Sequence, residues 1–371
     1  MSRLNKVIVR RVDGAPDLLG QFVALPWSIY PGKHAWVPPF RAELTAELGR
    51  DNPFFAHGDA ALFAALVSDA VVGRISASTD RRHDVHDASV GHFGYFECID
   101  DGEVAGALLE EAERWLRARG KTAVQGPVNW TIYQGYRLQT DGFTTEPWIG
   151  EPRNPRYYAR LLEQAGYAPF RVWGSYDVPG PAVRELIPQL EAAAAKHEPE
   201  FAGYTFEPFD PAQAARDLRS IHKLFMDAFS TNYGFYEASV PEYVGYNAMS
   251  VRTLSYANSF MVRDARGELV AFTRSQKNPI EAFLEADGDS SRLPAWPDTN
   301  RRVVIQHTTA VRPDVQGGGL LYKMGVRSLR QLLDAGFENW AVALVKEGRT
   351  FMDRVAPVNR RYALFHKRLS A

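Results

Sequence analysis

The segment Val311-Arg312-Pro313-Asp314-Val315-Gln316-Gly317-Gly318-Gly319-Leu320-Leu321 constrains this chain more than any other. It separates a β-branched run, Arg302 to Val311, from a stretch between about Gly319 and Ala335 whose apolar residues recur at helical spacing. Three consecutive glycines at such a junction let the backbone turn tightly and gather several N–H groups at one concave spot. A helix N-terminus directly behind them adds unpaired amides and its dipole, so the spot suits a phosphate. A nucleotide P-loop is excluded because no Gly-Lys-Ser/Thr follows, and no Gly-x-Gly-x-x-Gly is present to read as a dinucleotide fingerprint.

The elements around that junction occur twice. In the second half, Asp217 to Phe229 is helical in pattern, and Phe260 to Asp264 and Glu268 to Ser275 form a hairpin around Ala265-Arg266-Gly267. The strand into the glycine loop, its helix, a strand Trp340 to Val345 and a closing strand near Tyr362 to His366 complete the order. In the first half, a strand Lys6 to Arg10 and a helical stretch precede two strands within Ala60 to Thr79, joined near Ser68-Asp69. A strand Val90 to Ile99 then leads into a helix with Val104, Leu108, Leu109, Ala112, Trp115 and Leu116 on one face, stopped by Gly120. A strand Ala123 to Gly126, a helix Asn154 to Gly166 and a strand Phe170 to Val178 follow.

A chain of 371 residues is long for one domain, and the repeated order predicts a tandem of one α/β fold with a mixed sheet, of α+β type. Pro179-Gly180-Pro181 punctuates the sequence, and the alanine-rich stretch from Ala182 to His197 reads as a helix. The expected boundaries are a first domain over 1–180, a helical connector over 181–204 and a second domain over 205–371.

Hydrophobic residues at 45% and charged residues at 23% describe a globular chain able to bury a core. A formal net charge of -1 gives no global field to collect nucleic acid, so none is expected as a partner. The single cysteine, Cys98, cannot close an internal disulfide, which fits a reducing cytoplasm. No run of about 18 uncharged apolar residues occurs, so neither a membrane span nor export is expected. A homodimer stays open.

With Val311, Pro313, Gln316 and Gly319 at their spacing, the junction resembles the coenzyme A loop of the GNAT N-acetyltransferase superfamily, Val-x-Pro-x-x-(Gln/Arg)-x-x-Gly-x-(Gly/Ala). Leu321 stands where that pattern has Gly or Ala. The resemblance covers residues 205–371 by this motif. It extends to the first half by order of elements and by likeness to bacterial tandem-GNAT proteins. It implies an N-acyltransferase that uses acyl-CoA, acetyl-CoA or longer, as co-substrate. Thr309 and Val311 would line the pantetheine arm, and Gln316, Gly317, Gly318, Gly319, Leu320 and Leu321 the pyrophosphate. The matching junction of the first half, Ile99-Asp100-Asp101-Gly102-Glu103, carries three carboxylates that would repel a pyrophosphate, so that domain is expected to lack a coenzyme A loop.

Aminolysis of a thioester needs a base for the amine, a donor for the oxyanion and a proton for the thiolate. His307 is the one titratable side chain within Val303 to Val311; it could titrate near neutral pH, and by strand parity it shares a face with Thr309 and Val311. A structural histidine on a strand is the alternative. The resemblance implies a tyrosine acid after the next strand. Residues 346–354 contain none, which leaves Tyr322, one turn into the glycine-loop helix, as the candidate within reach by sequence. Two loop-like aromatic segments, with Trp130, Tyr133 and Tyr136 in one and Tyr233 and Tyr236 in the other, suit an amine acceptor between the domains or a packed seam. His83 and His86 fall in a charged loop with Arg81, Arg82, Asp84 and Asp87, and together with His92 they are not read as metal ligands. The acceptor is a small-molecule amine, an amino acid or an amino-lipid. An aminoacyl-tRNA-dependent transferase and a non-catalytic acyl-CoA-binding module are the alternatives.

Overall fold

The computed structural model describes residues 6–30, 32, 36–146, 148–295, 297, 302–348 and 350–370. The chain forms two compact units: one holds 1–173, 283–293 and 360–371, the other 174–282 and 294–359.

The first unit begins with β1 (Ile8–Arg11), α1 (Pro16–Ala24), α2 (Pro26–Ile29) and α3 (Arg41–Leu48). There follow β2 (Gly58–Val67), β3 (Ala70–Asp80), α4 (Arg81–Asp87), β4 (Val90–Cys98) and α5 (Gly102–Arg117). Next come β5 (Ala123–Gly126), β6 (Leu138–Asp141), α6 (Tyr157–Gln164) and β7 (Ala168–Pro179). The hairpin β2–β3 turns at Ser68 and Asp69, both at positive φ (48° and 66°), the twist that suits a two-residue hairpin. Ala61, Phe63 and Ala65 of β2 pack under α5 and α6, while Leu62, Ala64 and Leu66 pack under α1 and α3. Both faces are covered, so Ala60 to Leu66 are all apolar rather than alternating. The predicted apolar face of α5 is buried as a set. His83 and His86 lie on α4, not in the loop their charged neighbours suggested.

The second unit contains α7 (Gly180–Ala195), β8 (Thr205–Pro208), α8 (Ala214–Phe229), α9 (Val240–Tyr246), α10 (Ala248–Arg252) and β9 (Phe260–Arg263). It continues with β10 (Leu269–Lys277) into α11 (Ile280–Ala286), and then β11 (Val303–Val311), α12 (Leu320–Asp334) and β12 (Asn339–Lys346). The last strand is β13 (Val358–Arg368). The strands run β8–β9–β10–β11–β12, antiparallel except for the parallel pair β11–β12. The stretch 181–204 is no free connector: Val183, Leu186, Ile187 and Leu190 of α7 share a core with Leu329 of α12 and Val342 of β12.

The units are not the contiguous halves expected from the sequence. The final strand does not close the second unit, because Phe365 to Arg368 pair antiparallel with β5 of the first. Residues 174–179 of β7 fall in the second unit, beside β12. Each unit thus takes in strand residues from the other half of the sequence, and alternation along a strand does not encode its neighbour. Among the described residues no helix is long and apolar enough to cross a membrane.

Candidate functional site

The ladder between β11 and β12 covers only Val303–Gln306 against Asn339–Val342. Beyond it β11 runs on to Val311 and β12 to Lys346 with no further pairing between them, and Leu344 in that part of β12 takes a positive φ of 58°. The parting leaves a slot edged by main-chain polar groups, which demand partners of their own. The slot opens toward the glycine loop. Gly317 and Gly319 are both left-handed, at φ 84° and 82°, and Gly319 is the residue from which α12 starts. The first turn of α12 presents N–H groups without intrahelical partners at the same place. Leu320 anchors the helix in the core with Met324, Phe260 and Val270.

The ladder between β10 and β11 shifts register: Arg274 is opposite Thr308 and Ser275 opposite Gln306, leaving His307 as the extra residue of a β-bulge. The bulge corrects the parity reading. Gln306 Nε2 donates to Thr309 Oγ1 at 2.7 Å, and Thr309 also bonds Thr273 Oγ1 at 2.9 Å, so Gln306 and Thr309 share one face. His307 turns instead toward Thr308, whose hydroxyl lies 2.7 Å from Nδ1. The ring keeps a solvent-exposed edge yet is hemmed in by protein. That enclosure, with the Arg274 guanidinium as the second cause, pushes its pKa down to about 3. The neutral imidazole is therefore the form His307 holds at pH 7.

Other expected residues fall differently. Gln316 folds its side-chain amide back onto the Val311 carbonyl at 2.9 Å, and the Thr309 hydroxyl is tied into the β10–β11 pair. Leu321 is exposed beside the loop, Gly318 faces Glu200, and Tyr322 points to solvent from α12. Trp130 is not a surface contact: it is 2% exposed, stacks on Phe54 at 5.2 Å and donates its indole N–H to the Glu47 carbonyl. Tyr136 packs edge-on to Trp173, with Arg137 between the rings, in the first unit. Tyr133 is partly buried there, whereas Tyr233 and the buried Tyr236 belong to the second unit, where the Tyr236 hydroxyl meets that of Tyr246. Among the described residues no group of three or more His, Cys, Asp or Glu is arranged to hold a metal ion.

The first unit closes its equivalent junction with its own charge. Asp101 accepts from the amides of Glu103 and Val104 at the start of α5, and Asp100 pairs with Arg160.

Sequence reasoning missed Arg274, whose sequence signal is faint: an arginine in the interior of a strand, as Arg74 is in the first half. It also missed His197 and Glu200, which lie over the glycine loop from the end of α7 and had no local signal at all.

No protein-family model matches the chain. A bacterial ceramide synthase of Caulobacter vibrioides (strain NA1000 / CB15N) is 31% identical over 362 residues, covering 92% of this chain and 91% of that one. Protein YghO of Escherichia coli (strain K12) is 24% identical over 375 residues, covering 95% and 93%. Among solved structures, a tandem GNAT protein from the clavulanic acid biosynthesis pathway matches 99% of this chain and 99% of its own, with a TM-score of 0.54 at 12% identity. A probable N-acyltransferase from Enterococcus faecalis V583 matches 98% of this chain and 73% of its own, with a TM-score of 0.51 at 8% identity. The fold is that of tandem GNAT proteins, two N-acetyltransferase folds in one chain. Within that class the chain belongs to the family of the Caulobacter bacterial ceramide synthase, with which it shares nearly its whole length.

Proposed function

We propose that this protein transfers a fatty acyl group from a coenzyme A thioester to the amine of an amino-lipid, with the second unit as the acyl-CoA site. The observation that carries the reading is the parting of β11 from β12 immediately ahead of the glycine loop and α12. A pantetheine arm carries two amides, which suits a slot between two strands that no longer pair with each other, and a pyrophosphate suits the amides of Gly317 to Leu321. The amino-lipid acceptor is inferred from the relative named a ceramide synthase, since a ceramide is an N-acylated amino-lipid. In the first unit, the Asp101 carboxylate at the start of α5 argues against a second coenzyme A.

In this reading the neutral amine attacks the thioester carbonyl, forming a carbon–nitrogen bond and a tetrahedral oxyanion. His307, neutral and turned by the bulge to the Thr308 face, accepts the proton that the new carbon–nitrogen bond has made acidic, as the N–H bond breaks. Collapse breaks the carbon–sulfur bond, the sulfur leaves with the electron pair, and the thiolate is protonated afterwards. A weakly basic imidazole serves here because it meets a proton on positively charged nitrogen. Thr309 and Val311 stay proposed for the pantetheine arm, whereas Tyr322 is not retained as an acid.

The test is turnover of a series of acyl-CoA thioesters with sphingoid and other long-chain amines, followed by mass spectrometry, beside coenzyme A calorimetry on Gly317→Glu. The added carboxylate meets open space rather than the core, and because Gly317 is left-handed the variant's urea midpoint is measured beside its affinity to separate a strained turn from a repelled ligand. Amide products with long-chain amines, and lost coenzyme A binding in the variant, are expected. Unchanged affinity would remove the glycine loop from the site.

A further inference from the structure

Both units build the same device at the same place. In the first, Arg74 of β3 stands opposite Glu97 of β4, and the ladder shifts register before Ser76. In the second, Arg274 of β10 stands opposite Thr308 of β11, and the ladder shifts before Ser275. Both arginines are buried, at 4% and 2% exposure, and neither Nε finds a hydrogen-bond partner among the described residues. The difference lies in the counter-charge. Arg74 has the Glu97 carboxylate 3.7 Å away. Arg274 has Asn247 Oδ1 at 2.7 Å and the Ser250 hydroxyl, with the phenols of Tyr243 and Tyr256 near it, and no carboxylate within ion-pair distance among the described residues. A buried guanidinium left without a counter-ion is costly, and its field reaches neighbours little screened.

Residues directly opposite in a ladder point to the same face, so Arg274 lies with Thr308 and, through the bulge, with His307. Two other titratable groups come from the helix packed there. His222 of α8 donates to the Ala238 carbonyl, and the buried Asp217 is engaged by Arg216 and the Asp210 amide. Arg274 is therefore the unneutralised charge beside His307.

Resting on His307 as the base, we propose that Arg274 is a positioning residue for acyl transfer, an uncompensated cation that disfavours a second positive charge on its neighbour and so keeps the imidazole in its proton-accepting form. It touches no reacting atom; it acts through His307. The first unit, with Glu97 in place of Thr308, has the same cation switched off.

The experiment uses the full chain with isotope-labelled histidine, so that the His307 imidazole is titrated by NMR independently of turnover, with His307→Gln for assignment. Beside it, kcat at saturating amine is followed against pH for the wild type, Arg274→Met, Arg274→Lys and Thr308→Glu. Thr308→Glu places in the second unit the carboxylate that the first already has, and it serves where Arg274→Met fails to fold. In Arg274→Met and Thr308→Glu the His307 midpoint is expected to rise by about one pH unit, with the acid limb of kcat moving alongside, while Arg274→Lys stays near the wild type. An unmoved midpoint in both variants overturns the proposal and leaves His307 as base untouched. A moved midpoint with an unmoved acid limb overturns the base itself, and with it the role given to Arg274.

Discussion

His197 lies directly over Gly319: a Cβ added to that glycine would come within 2.4 Å of the imidazole Cδ2. The left-handed turn that starts α12 and the end of α7 are thereby locked together, and Glu200 closes the arrangement through its 2.9 Å contact with His197 Nδ1. Gly319→Ala is expected to destabilise the second unit by at least ~1–2 kcal/mol from the left-handed backbone alone. Urea unfolding of the variant beside His197→Ala checks this. If His197→Ala recovers part of the loss in the double variant, the contact is the second source of the cost.

His307→Gln is expected to lower kcat by about 10²–10⁴, the usual contribution of a general base. At saturating amine the wild-type kcat should show no imidazole titration between pH 7 and about pH 5, because the folded His307 binds its proton well below the ordinary value for histidine, whereas kcat/KM falls over the same range as the free amine is protonated. Stopped-time product assays across that range decide it.

His92 is buried and held well below its usual pKa, first by burial and then by His83 and Lys121. Below about pH 6.5 the unfolded chain binds a proton there that the folded chain refuses, so stability falls as pH drops through that window. The expected slope is at most about 1.4 kcal/mol per pH unit for this one group. Urea midpoints from pH 7.5 down to 5 should fall less steeply in His92→Gln.

Glu47 works in the opposite sense. Burial, opposed by the Tyr95 hydroxyl that donates to it, raises its pKa to about 7. Between about pH 4.5 and pH 7 the folded state holds a proton that the unfolded state has released, so this group's contribution is lost as pH rises. Glu47→Gln, neutral throughout, should remove that loss, seen as a gain in midpoint relative to the wild type at pH 8 that vanishes near pH 4.

Trp130→Ala is expected to cost about 3–5 kcal/mol, the price of an emptied aromatic core site, while leaving the acceptor KM unchanged at temperatures where the variant stays folded. A selective rise in KM would return Trp130 to the binding surface.

The periodic elements were legible because each carries its own period. The apolar stripe of α5, the β-branched β11 and the hairpin at Ser68-Asp69 need no partner to be recognised. The glycine loop was legible because its geometry is local. What misled was the assumption of unbroken alternation along β11, since one inserted residue at His307 reverses the face of everything before it. Trp130 misled because an aromatic in an irregular segment reads the same whether it is open to a ligand or covered by Phe54.

The sequence by itself determined the order of elements, the strand–glycine–helix junction and the acidic cap that replaces it in the first half, all properties of residues within a few positions of one another. Only the tertiary structure decided which strand completes which sheet, that α7 packs on α12, and that Arg274 lacks the carboxylate Arg74 has. Those are pairings between residues tens or hundreds of positions apart, and backbone hydrogen bonding, burial and charge compensation are satisfied by whichever group arrives in space.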